Sequence, residues 1–539
     1  MKDIKSFYKG TIFLLLLVFC SLVIGQRMFV SRSLNNQNNG HVIDTSYGAF
    51  LVAQHALYIN DFDTAVEMAN KIDAKNTIVS QIKNTADFFN GKMPDDAKKL
   101  KDSKDFISSL IYDAYLIQKD DWKTVYNRHS KDESVLSAQL RIFSGAGANK
   151  GKETIKFINS LKIDDNWKSF VRGQIAVLNN DIDGAAKEFA HVHPAFMNIN
   201  DYLYLMSFYQ KNGMDEDMKI LRNDFVATPA GMYVLKYPEI PDWSEFDGVK
   251  NHLVFSIIQN VSHNQFMMYT DLSLTFLRFA QIISENVNTD AINYYLGQYY
   301  VIRSGDYSKS FEQIKKSSPL YVFGKLKAAE KTNDIKTIEK IVHDNPLFIP
   351  ALQIIVRENI KNGNRGHALS VINRALKQKG LPIDGKIYLL KQRTHTYLMF
   401  NDAQNAQKDL NSLQILEGKL VPDTMALQAR AWTMENRNLD EAYKYAMSLV
   451  KINTADVGAW DILGMVVDKK EGTNNALELL ERIGEVSTTT SSLYEHLGDM
   501  YKKVGDNERA LRSYQRALDL SDDCLVVVPF IQKKIRNVK

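Results

Sequence analysis

The sequence is poor in cysteine, in proline and in charge of one sign. Of 539 residues only Cys20 and Cys524 are cysteine, and Cys20 lies in an apolar N-terminal run. The body of the chain therefore forms no internal disulfide and no zinc site built from several cysteines. The 11 prolines bar few residues from helix interiors. Lys and Arg (67) nearly balance Asp and Glu (63), and no basic stripe with interleaved aromatic residues occurs, so nucleic acid is not an expected partner.

The first thirty residues differ from the rest. Three lysines precede the apolar run TIFLLLLVFCSLVIG, which is the order of a secretory signal. The run is shorter than the ~20 apolar residues of a membrane-spanning helix. Three interpretations stay open: cleavage near Gly25, an uncleaved membrane anchor, and lipidation at Cys20. We therefore expect an exported, periplasmic protein, associated with the membrane through residues 1–30 if that segment is retained.

Two segments near the C-terminus repeat one pattern in a constant register. They are WDILGMVVDKKEGTNNALELLERI, from residue 460, and YEHLGDMYKKVGDNERALRSYQRA, from residue 494. A fixed period of this size indicates stacked supersecondary units. Apolar and small residues recur within each copy at i, i+3, i+4 and i+7, as on one face of a helix. The residues predicted to pack the two helices of each unit are Trp460, Gly464, Ala476, Tyr494, Leu497, Gly498, Tyr501, Ala510, Tyr514 and Ala517.

Glycine in these helices needs an explanation, because it costs ~1 kcal/mol of helix propensity. Gly498 and Ala510 are small and would let two antiparallel helices approach closely, with Tyr494 and Tyr514 filling the space at the sides. Gly505, between the two helices, is free to adopt a positive φ and marks the turn. The sequence thus predicts a helix–turn–helix unit.

This pattern resembles the tetratricopeptide repeat (TPR), a 34-residue helix–turn–helix unit. The resemblance implies an all-α fold, a right-handed superhelical solenoid of antiparallel helix pairs. Weaker copies extend it upstream, with Ala442, Ala406 and Ala368 at the alanine position and Arg430 in place of one glycine. No run of alternating polar and apolar residues indicates strands.

The predicted organisation has seven segments. They are a signal or anchor (1–30), a polar linker (31–45), an N-terminal helical block (46–225), a proline-containing connector (226–250), a central helical block (251–420), three C-terminal TPR units (421–524) and a basic tail (525–539). Three of the eleven prolines fall in the connector, which is predicted to be a loop joining two blocks.

The order of these parts also resembles a family of exported Gram-negative bacterial TPR proteins. The shared features are an Ala-rich first unit (47–72), SSPLY at Ser317–Tyr321, NLDEA at Asn438–Ala442 and HLGDMY at His496–Tyr501. Some relatives of this broad group are lipoproteins that serve as adaptors for periplasmic C-terminal processing proteases. The resemblance implies an envelope protein, although no residue of this sequence identifies the adaptor role.

Catalytic and metal-binding patterns are weak. His191 and His193 diverge by about 200° on a helix and have no acidic or cysteine cluster beside them. Residues 145–151 (GAGANKG) lack the spacing of a phosphate-binding loop and are predicted to form a plain loop. Cys524 has no recognisable His–Asp setting. We therefore expect no catalytic residue, no metal and no cofactor, and an unrecognised active site is the weakest alternative.

A stacked helical array exposes a concave surface lined by the first helix of each unit. In the two clearest units, the groove-facing residues expected to bind a partner are Asp461, Met465, Asp468, Glu495, Asp499 and Lys502. TPR modules that hold a peptide carboxylate have Lys and Asn where Glu495 and Asp499 stand, so that clamp is not expected. The expected function is a non-catalytic envelope scaffold that binds other proteins. The alternatives are an adaptor subunit of an envelope enzyme, such as a processing protease or a polymer-synthesis complex, and a merely solvated surface.

Overall fold

A computed structural model describes residues 46–59, 61–72, 77–130, 134–228, 231–236, 240–264, 270–284, 289–303, 305–419, 421–486, 490–523 and 525–538. In these ranges the regular structure is α-helix and short 3-10 helix, without a strand. The predicted signal and linker, with Cys20 and Cys524, lie outside the described residues. None of the helices in the described ranges is long and apolar enough to span a membrane.

The described chain divides into two units. The first runs to Asp121 and includes Gln281–Ile283. Its helices are α1 (Ser46–Tyr58), α2 (Phe62–Asn70), α3 (Thr77–Phe89) and α4 (Phe106–Gln118). Each packs on the next along the chain. Ala53, Met68 and Val79 lie in its buried core.

The second unit comprises Trp122–Ala280 and the chain after Ile283. Its helices are α5 (Trp122–Arg128), α6 (Val135–Gly147), α7 (Gly151–Ser160), α8 (Asp165–Leu178), α9 (Ile182–Phe189), α10 (Ile199–Lys211), α11 (Asp215–Ala227), α12 (Gly248–His263), α13 (Asp271–Ile283), α14 (Thr289–Ile302), α15 (Ser308–Glu312), α16 (Leu320–Thr332), α17 (Ile335–Asp344), α18 (Ile349–Lys361), α19 (Arg365–Leu376), α20 (Ile383–Met399), α21 (Ala403–Glu417), α22 (Pro422–Met434), α23 (Leu439–Ile452), α24 (Val457–Lys470), α25 (Thr473–Val486), α26 (Ser491–Lys503), α27 (Asn507–Asp519) and α28 (Val528–Val538). The last three residues of α13 fall in the first unit.

The contacts between helices are those of a repeat array. From α17 to α28 each helix packs on its successor, and α20, α22, α24 and α26 also pack on one another in series. First helices therefore stack on first helices, while second helices pack against their own partners. This arrangement confirms the predicted all-α solenoid of antiparallel helix pairs.

Four of the turns between paired helices share a chemical device. A residue with positive φ is followed by an aspartate whose carboxylate accepts the backbone N–H three residues later and caps the second helix. The residue pairs are Asn180–Asp181, Asn333–Asp334, Asn401–Asp402 and Gly505–Asp506. Gly505 has a φ of +86°, so the turn predicted at this glycine is confirmed.

The proline-containing connector is built into the core. It forms 3-10 turns at Met232–Lys236 and Trp243–Glu245. The Tyr233 ring lies 4.9 Å from that of Phe348, and the Trp243 ring lies 5.5 Å from that of Tyr204. Buried aromatic contacts therefore fix this segment, which the prolines alone mark only as non-helical.

The prediction of a loop over residues 145–151 is wrong at both ends, because α6 continues to Gly147 and α7 begins at Gly151. A Cβ atom on Gly147 would lie 2.5 Å from Cγ of Trp122, and one on Gly145 would lie 3.1 Å from the Tyr126 ring. The two glycines admit the aromatic side chains of α5 against α6. They serve helix packing there and do not form a loop.

Candidate functional site

An open groove of about 780 Å³ lies along the first helices of the last repeats. Its walls come from α20, α22, α24 and α26, with the start of α21 and one face of α28. We call it the C-terminal groove. Because successive first helices stack side by side, side chains from consecutive repeats meet across it.

Two carboxylates on α26 form the acidic part of this groove. The Nζ atom of Lys534, on α28, lies 2.7 Å from Oε1 of Glu495 and 2.6 Å from Oδ2 of Asp499. Burial disfavours the charged amine, but the two carboxylates outweigh it and raise the pKa of Lys534. Asp499 also accepts a hydrogen bond from the Tyr514 hydroxyl at 2.7 Å. The groove acids are thus held in place by α27 and α28.

Asp468 lies further along the groove. Its carboxylate pairs with the Lys503 ammonium and accepts a 2.7 Å hydrogen bond from the Thr473 hydroxyl. Met465 stands one turn before it and also lines the groove. Lys502 is exposed and is absent from the groove lining, where its neighbour Lys503 takes part instead.

Asp461 is buried beneath the groove wall. Nδ1 of His496 donates to its Oδ1 at 2.7 Å, and the Ser492 hydroxyl donates to its Oδ2 at 3.0 Å. Burial favours the neutral carboxyl, but the nearby His496 outweighs it and lowers the pKa of Asp461. At His496, burial favours the neutral ring, yet Asp461 outweighs it and raises the pKa. The result is a buried ion pair between α24 and α26.

This trio contains the residue types of a catalytic triad in the wrong order. In a triad the histidine lies between serine and carboxylate and takes the serine proton. Here the carboxylate of Asp461 lies in the middle, and Ser492 donates to it instead of to His496. The arrangement joins two helices and places no histidine base on the serine.

Arg430, on α22, is a cation at the groove wall whose guanidinium is incompletely hydrogen-bonded. Its NH2 group lies 3.9 Å from Sδ of Met399. Its Nε–H is inaccessible to solvent and has no hydrogen-bond acceptor among the described residues. The side chain lines the groove with Met434 and Met465. An arginine at the glycine position of the repeat therefore points out of its own helix pair.

The packing residues occupy the interior of the last two pairs. A Cβ atom on Gly464 would lie 2.5 Å from Leu480, and one on Gly498 would lie 2.5 Å from the Tyr514 ring. Leu480 and Tyr514 stand at the same position of successive repeats, so each glycine is covered by the bulky side chain of its own second helix. Ala476, Ala510, Tyr514 and Ala517 are fully buried, with Leu497 and Tyr501 nearly so.

The two aromatic residues that open the repeats lie nearer the surface. Nε1 of Trp460 donates to the Thr454 carbonyl at 2.9 Å. The hydroxyl of Tyr494 donates to the Gly484 carbonyl at 3.3 Å. Both rings pack at the margin of the core while their polar atoms tie down the preceding segment.

A second groove, of about 620 Å³, lies on α10, α12, α14 and α16. Tyr294, Ile302 and Phe323 make its lining mostly apolar. An acid–histidine pair adjoins this groove at Asn198, because Nε2 of His263 lies 3.2 Å from Nδ2 of Asn198 and 2.6 Å from Oδ2 of Asp201. Burial lowers and Asp201 raises the pKa of His263, and the net shift is upward.

The other candidate residues from the sequence form no site. Nδ1 of His191 donates to the Lys187 carbonyl at 2.8 Å, and Nδ1 of His193 accepts from the Ala195 N–H at 3.1 Å. No group of three or more potential metal ligands occurs within the described ranges. Sequence reasoning missed His496, although it assigned the neighbouring Glu495 on α26 to the groove. It also missed Phe530 and Lys534, because α28 joins the groove only in the folded chain.

Comparison with known proteins gives little further information. No family model matches the sequence, and no curated protein does either. Among solved structures, the chain is similar to one in the crystal structure of the APC/C hetero-tetramer Cut9-Hcn1, at 12% identity over 92% of this chain and 96% of that one, with a TM-score of 0.34. A second similar structure is the pentatricopeptide repeat protein PPR10 from maize, at 13% identity over 89% and 82%, with a TM-score of 0.29.

A third is the structure of Naa15/Naa10 bound to HypK-THB, at 12% identity over 95% of both chains, with a TM-score of 0.25. These scores are too low to support an argument about fold or function, so both rest on the chain's own geometry. The packing of a first-helix glycine under a bulky second-helix residue, in successive repeats, and the stacked first helices make it a TPR-like helical-repeat protein.

Proposed function

We propose that this protein is a non-catalytic scaffold that binds a segment of a partner protein in the C-terminal groove. The observation that carries the proposal is the groove itself, about 780 Å³ in volume and lined by side chains of four first helices and α28. A concave surface of this kind is what stacked repeats offer to an extended or helical polypeptide.

The groove lining suits a polypeptide ligand. Adaptable apolar surface comes from four methionines, Met399, Met434, Met465 and Met500. Carboxylates and amines lie between them. Apolar anchors with a charged surround are typical of protein interfaces. The buried trio at Asp461 supports a structural role there, because its histidine contacts the carboxylate and not the serine.

We further propose that the protein is exported and acts in the cell envelope, as the basic and apolar N-terminus and the family resemblance suggest. Fractionation of cells producing the full-length protein, followed by N-terminal sequencing, tests this. Recovery in the cytoplasm with an intact, unmodified N-terminus would contradict it.

The binding proposal is tested by crosslinked pull-down of full-length tagged protein from envelope membranes. The test variant is Met465→Glu, which places a charge in the groove. The matched control is Ile415→Glu, because Ile415 is 82% exposed and lies outside the groove. We expect specific partners to be lost with Met465→Glu and retained with Ile415→Glu.

Two other outcomes are informative. An enzyme among the groove-dependent partners, with activity that requires this chain, would make the protein an adaptor. Partners that both variants retain, or no specific partner for the correctly folded protein, would overturn binding in the C-terminal groove.

A further inference from the structure

Helix α28 forms one wall of the C-terminal groove and covers part of the surface of the first helices. Phe530 and Lys534 are one turn apart on this helix, and both face the groove. The Phe530 ring meets that of Phe400 edge-on at 6.0 Å, while Lys534 bridges Glu495 and Asp499. A groove that binds an aromatic residue and an amine from its own chain shows which chemistry it recognises.

The surface beneath α28 is acidic as well as apolar. Five carboxylates line the groove, namely Asp402, Glu435, Asp468, Glu495 and Asp499. Three of them pair with other cations, which are Arg365, Arg437 and Lys503, so Glu495 and Asp499 are the two whose cationic partner is Lys534. Withdrawal of α28 would leave Glu495 and Asp499 without the ammonium that bridges them. A partner segment must therefore supply a cation at this point.

Helix α28 depends on contacts with the rest of the chain to remain helical. It has 11 residues, and an isolated helix of that length is marginal in water. Ile531 is fully buried against the last repeat, and Ile535 packs beside it. A segment that replaces α28 must therefore bring an apolar residue as well as the aromatic–cation pair.

We infer that the partner bound in the C-terminal groove is a basic amphipathic helix with an aromatic residue and, four positions later, a lysine or arginine, and that it replaces α28. This inference rests on the proposed function. Helix α28 is then an intramolecular competitor, and the Lys534 bridge sets how strongly it competes. Partner affinity depends on how readily α28 leaves the groove.

The probe for this inference is a fluorescently labelled synthetic peptide with the sequence of residues 526–538. It is titrated into the full-length chain and followed by anisotropy. We expect the Lys534→Ala chain to bind the peptide about tenfold more tightly than the wild type, because its own helix has lost two charged hydrogen bonds. Lys533→Ala is the matched control, because Lys533 is exposed, and it should bind as the wild type does.

Two changes test the chemistry of recognition. A peptide with Lys534→Glu should lose binding to the Lys534→Ala chain. Adding Glu495→Gln and Asp499→Asn to that chain should do the same. If Lys534→Ala proves unstable by circular dichroism and thermal unfolding, Lys534→Met keeps the aliphatic stem and serves in its place.

Three results would overturn the inference. The wild type and the Lys534→Ala chain could bind the peptide equally, neither could bind it, or the Lys534→Glu peptide could bind as well as the unchanged one. A concentration-dependent dimer of the Lys534→Ala chain that excludes the peptide would overturn it too, since the occupant would then be a second copy. These failures are distinct from failure of the proposed function, because the Met465→Glu pull-down does not involve α28 peptides.

Discussion

The pairs α24/α25 and α26/α27 differ from the preceding pair α22/α23 at two facing positions, one in the first helix and one in the second. The first two have Gly464 and Gly498, each covered by a bulky residue of the second helix, whereas α22 has Arg430. The second-helix residue that corresponds to those bulky ones is, in α23, the small and buried Ala446. A small first-helix residue thus packs inside the pair, and a large one points into the groove. The same repeat position can serve either the core or the binding surface.

The largest expected effect comes from giving α26 the arginine of α22. Gly498→Arg should lower the free energy of unfolding by about 3 kcal/mol or more, because the Tyr514 ring occupies the space beside Gly498. The double variant Gly498→Arg/Tyr514→Ala copies the Arg430–Ala446 combination. A double-mutant cycle by urea unfolding should show a favourable coupling of about 2 kcal/mol, and additive effects would contradict this account of the position.

The buried ion pair predicts a pH dependence. The folded pKa of His496 is raised above the ordinary 6.5. The pair therefore stabilises fully below pH 6.5, and this contribution is lost as the pH rises through the folded value. The lowered pKa of Asp461 adds stability that is lost only as the pH falls into the acid range.

His496→Gln should therefore lower stability at pH 6 by about 1–3 kcal/mol and reduce the difference between pH 6 and pH 9. Urea midpoints at the two pH values measure both quantities. His343→Gln is the control, because His343 is 73% exposed. A pH 6 to pH 9 difference as large in His496→Gln as in the wild type would rule out this role of the pair.

Two glycine-to-alanine substitutions sharpen the comparison further. Gly498→Ala should destabilise by about 1 kcal/mol, because the clash with Tyr514 exceeds the gain in helix propensity. A Cβ atom added at Gly484, within α25, would lie 3.6 Å from Leu497, which is an ordinary van der Waals distance. Gly484→Ala should stabilise by about 0.5–1 kcal/mol. Thermal unfolding distinguishes the two, and shifts of the same sign would refute the packing explanation.

The smallest effect is expected at Arg430. Arg430→Met keeps the volume and removes a buried Nε–H that lacks an acceptor among the described residues. Stability should rise by up to about 1 kcal/mol. A clear loss of stability on urea unfolding would show that Arg430 contributes more inside its helix pair than its contacts indicate.

The sequence predicted the repeat because the residues that define it lie close together in the chain. Gly498, Tyr514 and the turn at Gly505 lie within a single repeat, so spacing alone predicted a close approach of the two helices at Gly498. Spacing placed Tyr514 at the side of this approach, whereas its ring lies directly over Gly498. The groove was readable in part, since Met465, Asp468, Glu495 and Asp499 do line it, while Asp461 is buried and Lys502 lies outside. Helical periodicity gives the face of a helix, but it does not say how deep a neighbouring helix buries that face.

The sequence by itself determined the all-α class, the pairing of helices within each repeat and the turn between them, because each depends on residues within one repeat. Only the tertiary structure decided that α28 returns to the groove, where Phe530 meets Phe400 and Lys534 meets Glu495. Both pairs join residues from different repeats, and Phe400 precedes the last three repeats altogether. Their meeting depends on the accumulated rotation of many stacked helices, which no short stretch of sequence encodes.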